Sequence, residues 1–202
     1  MNSITQQIES QLIEQCTTML AMSQEVSDLY QYYFASPASS LINALPTSTS
    51  PATTQNNGAL SQSNFTGGIT LAQALMNFFG NTSVSTSSYR QYADALLNGS
   101  YPISTPLSMD VENIGGRLRN LGANLIQLGK DAASTVKAYN ASSLSSVIGS
   151  IPSATVIYGC STTQSKFVSG IVLLEQLQNF LTGSAVTTGD YLSTVTNFVL
   201  GS

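Results

Sequence analysis

With 202 residues, 42% of them hydrophobic, the chain can bury one substantial core or two small ones. Charged residues make up only 8%, far below the usual quarter, and ordinary hydrophobicity with little charge is the reverse of the disorder signature. The absence of histidine removes Ser-His-Asp and Cys-His catalysis and the commonest zinc ligand, and a net charge of −4 without any basic tract leaves no electrostatic source for nucleic-acid binding.

Ser, Thr, Asn and Gln stand where Lys and Glu would normally face solvent. Such a surface repels its neighbours weakly, which suits packing against copies of itself or partner chains; adaptation to an acidic milieu is the alternative. The charge is unevenly held. Residues 1–100 carry Glu9, Glu14, Glu25, Asp28 and Asp94 against Arg90, whereas five acids and five bases balance in 101–202. The N-terminus lacks a basic region followed by an apolar one, so no secretory signal is expected, and no apolar run of about 18 residues predicts a membrane span. Localisation is not readable. Cys16 and Cys160 share no spacing pattern, which favours two free thiols over a disulfide.

Residues 4–34 read as one long amphipathic helix, with Ile4, Ile8, Leu12, Cys16, Met19, Val26, Leu29 and Tyr33 in an apolar stripe. Ser3 and Gln6 have capping-box spacing, and Pro37 closes the helix. An ASSL element follows at Ala38–Leu41, then Leu45–Pro46 and a polar loop over 46–60. Phe65, Ile69, Ala72, Leu75 and Phe79 mark a second helix, stopped at Gly80. Val84, Ser85 and Tyr89 fit a hydrophobic staple opening a third, with Ser85 as cap, that ends at Gly99-Ser100.

The pattern then recurs. Ser108, followed by Asp110 and Glu112 in the first turn, opens a helix with the stripe Val111, Ile114, Leu118, Leu121, Leu125, Leu128, Ala132, Val136 and Tyr139. Gly115, Gly122 and Gly129 fall every seventh residue, and predict close helix packing rather than a kink. A second ASSL lies at Ala141–Leu144, then Ile151–Pro152. The segment 153–161, apolar and β-branched, predicts a short strand or a buried extended stretch. Phe167, Ile171, Leu174, Leu177 and Leu181 form another helical stripe, stopped at Gly183. Val186, Thr187 and Tyr191 repeat the staple, and Asp190 adds a capping box.

The recurrence is an internal repeat. Ser61–Ser100 aligns without a gap on Thr163–Ser202 and matches at fourteen of forty positions, including Phe65/Phe167, Gly68/Gly170, Asn77/Asn179, Phe78/Phe180 and Tyr89/Tyr191. Roughly three matches would arise by chance. Setting Ile8 on Ile114 brings Leu12 onto Leu118, Leu20 onto Ile126 and Tyr33 onto Tyr139, so the duplication extends to about 1–100 and 107–202.

Little chemistry remains. GGI at 67–69 is a fragment of a phosphate-binding fingerprint, and the paired helices lack the basic side chains of a DNA reader. Glu25 and Asp28 share a helix face and Asp94 and Asp190 lie in the repeated hairpins; solvated faces and helix caps account for them better than an active site. Arg117 and Arg119, near a helix start, suggest an acidic partner such as Glu9 and Glu14 on the first helix, with a simple solvated pair as the equal alternative. The sequons at Asn64, Asn81, Asn98 and Asn140 carry no signal, because 52 Ser and Thr with 14 Asn among 202 residues produce about four by accident.

The expectation is therefore an all-α protein, a single domain of residues 1–202 in which each half supplies a long helix and a helical hairpin about a pseudo-two-fold axis, sharing one core. No catalytic, cofactor-binding or metal-binding residue is assigned, and no cofactor is expected. Function is expected to be non-enzymatic and structural, through protein partners or self-association, with a virion component as the class-level expectation. The alternative is an apolar ligand held between helices by Phe65, Phe78, Phe79, Phe167 and Phe180.

Overall fold

The first long helix forms as α1, Ile4–Ala35, in a computed structural model that describes residues 3–42, 62–98 and 109–201. Its capping box is made as the spacing requires: the Gln6 N–H donates to Ser3 Oγ at 3.3 Å, and the Ser3 N–H donates to Gln6 Oε1 at 3.1 Å. The remaining elements are α2 (Ala38–Ile42), α3 (Gln62–Phe79), α4 (Tyr89–Asn98), α5 (Met109–Ala141), α6 (Leu144–Ile148), α7 (Gln164–Thr182) and α8 (Tyr191–Leu200). Ser108, Leu45–Pro46, the loop 46–60, the Gly99-Ser100 stop and Ser202 lie outside the described residues.

The two long helices run antiparallel, since Tyr32 reaches Asp110, Glu25 reaches Arg117 and Gln15 reaches Thr135. Helix α3 packs on α1 and α4 on α5, while α7 packs on α5 and α8 on α1. Each hairpin thus straddles both long helices, and the buried apolar side chains form one continuous cluster. Phe65, Phe78, Phe167 and Phe180 are its largest fully buried members, each contributing roughly 1.5–3 kcal/mol by removal from water.

The heptad-spaced glycines admit close neighbours, as predicted. A Cβ at Gly122 would stand 3.1 Å from the Ala93 carbonyl oxygen, and one at Gly129 would stand 2.4 Å from Leu181 Cδ1. Gly115 is looser, its nearest neighbour being Phe65 at 3.8 Å.

Four local expectations are corrected. The staple does not form: α4 and α8 begin at Tyr89 and Tyr191 themselves, and the α8 cap is Asp190, which accepts from the Ser193 N–H at 3.1 Å. An aspartate next to the first apolar residue is a better cap than a threonine four positions away. The turn that ends α3 depends on Asn81 (φ 57°) rather than Gly80, as Gly183 (φ 83°) ends α7. The Thr82 N–H reaches back to the Asn77 carbonyl and the Ser184 N–H to that of Asn179, each at 3.0 Å, and asparagine tolerates the left-handed region this needs. The ASSL elements are out of structural register: the Ser36 hydroxyl donates to the Tyr33 carbonyl and accepts from the Ala38 N–H, and Ser142, Tyr139 and Leu144 repeat this, so ASSLI matches LSSVI. Finally, 153–161 makes turns and one isolated antiparallel bridge, Val156 with Thr163, instead of a strand; Ile157 is buried while Tyr158 points out.

Candidate functional site

The residues singled out for chemistry do not converge. The ion pair of Arg117 is with Glu25, at 2.7 Å, rather than with Glu9 or Glu14, because the antiparallel crossing puts the second half of α1 against the start of α5. This contact holds the guanidinium above the ordinary arginine value, whereas burial pushes Arg119 below it. Asp94 pairs weakly with Arg90 one helical turn away, and Asp190 is a cap. GGI at 67–69 lies inside α3, where no loop can cradle a phosphate. Both cysteines are free: burial pushes Cys16 up to about 12, and burial followed by the neighbouring Glu9 carboxylate pushes Cys160 up to about 12, which favours the protonated thiol over the thiolate in each.

Glu9 itself has a structural task. It is 8% exposed and accepts from the Ser161 N–H at 2.8 Å and its hydroxyl at 2.7 Å, strapping the 153–161 segment onto α1. Burial alone would raise its pKa; hydrogen bonds from the 160–162 segment, those of Ser161 foremost, outweigh that and hold it below the usual carboxylate range.

The phenylalanines form a packed centre. Phe78 of α3 stacks on Tyr191 of α8 (4.8 Å, 24°), Phe180 of α7 stacks on Tyr89 of α4 (4.4 Å, 16°), and the two phenylalanines meet at 5.6 Å. Farther out, Tyr33 meets Phe65 at 6.1 Å and Tyr139 meets Phe167 at 6.2 Å. Sequence reasoning assigned Tyr89 and Tyr191 to staples and missed their cross-hairpin stacking. The signal was present, since both tyrosines and their phenylalanine partners belong to the identical positions of the repeat.

Two of the surface grooves among the described residues are built on matching positions of the repeat. The larger, about 690 Å³, lies among α1, α3 and α8, with Leu20, Met76, Phe79, Leu192 and Leu200 as its apolar wall and Asp28 at its edge. The smaller, about 210 Å³, lies among α5, α7 and α4, with Ile126, Ala133 and Leu181 as floor and Arg90, Lys130 and Gln178 around it. Aligned as in the repeat, Leu20 corresponds to Ile126, Ser23 to Gly129, Gln24 to Lys130, Met76 to Gln178, Phe79 to Leu181 and Leu192 to Arg90. Of the five phenylalanines considered for a ligand, Phe79 alone lines one of these grooves.

A polar cavity of about 160 Å³ lies in the α1/α5 seam, lined by Gln11, Glu14, Gln15, Asp131, Ser134 and Thr135. Among the described residues no group of three or more His, Cys, Asp or Glu is placed to hold a metal, and no helix is long and apolar enough to cross a membrane.

No family model matches the chain, no curated protein matches it in sequence, and no solved structure matches it in fold.

Proposed function

We propose that this is a non-enzymatic assembly protein, a single domain made by tandem duplication of a helical unit (1–100 and 107–202) about an approximate two-fold axis, which bridges neighbouring chains through two equivalent but chemically distinct surfaces. The paired grooves carry the reading. The same helix positions build both, yet one has an apolar wall with an acid at its edge and the other is rimmed by Arg90 and Lys130. A duplicated fold can thereby offer different contacts on quasi-equivalent faces, which suits a repeating assembly such as a virus particle. The matched aromatic contacts of the two hairpins, and the straddling of both long helices by each hairpin, support the duplication. Leu200 at the apolar groove is 69% exposed, an expense of solvation that a covering partner would remove.

Light scattering on the eluting protein over a range of concentrations is expected to show self-association, or pull-down to show a partner chain. A strict monomer that captures nothing overturns the assembly reading. The duplication is tested by residues 1–104 alone: with α4 deprived of α5 and α1 of α8, the fragment is expected to dimerise or to be insoluble, and a stable folded monomer would count against a shared core.

A further inference from the structure

We infer that the apolar groove among α1, α3 and α8 seats a second copy of this chain, which docks on it through the flank formed by α4, α5 and α7. The inference rests on the assembly reading above and says which surface meets which. Charge divides the molecule between these two flanks. All six Lys and Arg side chains lie on α4, α5 and α7, whereas α1 has four acids and no base, and neither α3 nor α8 has a charged residue. Five acids share the cationic flank, so the charge at the grooves themselves decides. At the smaller groove Lys130 is exposed and makes no ion pair among the described residues, and Arg90 meets Asp94 only at 3.7 Å, with both side chains half-exposed. At the larger groove Asp28 is exposed, and the Arg117 guanidinium whose field it shares is bound by Glu25 at 2.7 Å. Opposite charges on separate flanks cannot meet within one molecule. Two copies turned flank to flank bring them together.

Shape agrees with charge. At matching positions the larger groove has Gln24 and Leu192 where the smaller has Lys130 and Arg90. The longer side chains leave about 210 Å³ open on the cationic flank, against about 690 Å³ on the other. Lysine and arginine lay their aliphatic stems on apolar surface while the charged end reaches water or an acid. Leu192 and Leu200, 39% and 69% exposed, offer such a surface, and Asp28 stands at its edge. A helix of 32 residues spans about 48 Å, so a flank of three helices has room for the roughly 800 Å² that each partner buries in a standard interface. Because the two surfaces are different patches of one chain, the contact is head-to-tail and continues from copy to copy as a ring or open filament.

The mass of the full chain is followed by sedimentation and light scattering over rising concentration, for the unaltered protein, for Asp28→Lys and for Arg90→Glu/Lys130→Glu. All three positions are exposed, so both variants are expected to keep the unaltered melting curve. The unaltered chain is expected to grow past the dimer. Each reversal is expected to raise the concentration needed for assembly by about tenfold or more, since like charges then face each other. An equimolar mixture of the two variants is expected to assemble again, because each supplies the charge that the other lost. Assembly that stops at a dimer, that neither reversal weakens, or that the mixture fails to restore overturns this contact while the assembly reading stands. A strictly monomeric unaltered chain overturns it as well; capture of a different chain by that monomer would preserve the assembly reading, and capture of nothing would end both.

Discussion

The two hairpins make matching aromatic contacts, whereas the two ends of the α1/α5 crossing differ, one holding an ion pair over leucines and the other an amide–hydroxyl pair beside acids. The difference teaches where a helical bundle resists change. In the hairpins four rings interlock at a close-packed centre, and any change of volume is felt by all of them. At the helix crossing each polar group needs only a partner, and several chemistries supply one. The 153–161 segment is tied to α1 through Glu9, whose aligned position in α5 is Gly115, a residue without a side chain to accept such bonds.

The hardest test of the matched hairpins is Phe78→Ala against Phe180→Ala. Each is expected to lose about 3–5 kcal/mol of stability in urea unfolding, by similar amounts. One large and one negligible loss would break the comparison. The strap comes next. Glu9→Gln is expected to cost about 1.5–3 kcal/mol at neutral pH, because a buried charge-assisted acceptor is replaced by a neutral amide. Since the folded pKa of Glu9 lies below 4.5, the carboxylate's contribution is complete above that value and is lost as pH falls through the lower folded pKa. Unfolding of both proteins along a pH series should therefore show their difference shrinking in acid, and a constant difference would mean that the charge is not what holds the segment.

The glycine pair matched in the repeat, Gly68 and Gly170, sharpens the comparison at a finer level. A Cβ at Gly170 meets the Phe198 ring at 2.8 Å, while one at Gly68 meets the methyl ends of Leu96 and Leu118 at 2.9 Å. Overpacking of this kind costs about 1–3 kcal/mol, and Gly170→Ala is expected to be the worse because a ring yields less than a leucine tip. Equal thermal shifts would show that the two sites relax alike. The smallest effect belongs to Arg117→Ala, about 0.2–1 kcal/mol for a partly exposed pair, diminishing as salt is added.

How much was legible beforehand follows the range of each interaction. The Ser3–Gln6 box, the long stripes of α1 and α5 and the glycine spacing are local patterns, and they were read with boundaries close to those observed. The starts of α4 and α8 were misread because Thr187 and Asp190 can both cap, and the choice depends on what Tyr191 packs against. Nothing in the sequence near Arg117 distinguishes Glu25 from Glu9 as its partner; the antiparallel crossing does. Nor does the sequence around Gln15 announce that its amide meets a hydroxyl, since that requires Thr135 from the other long helix. Periodicity and repetition alone thus determined that this chain is helical and internally matched, because hydrophobic spacing acts through neighbours a turn apart. Which rings stack, which charges pair and where a polar cavity opens were decided only when distant helices met, since those energies depend on contacts that no short window of residues contains.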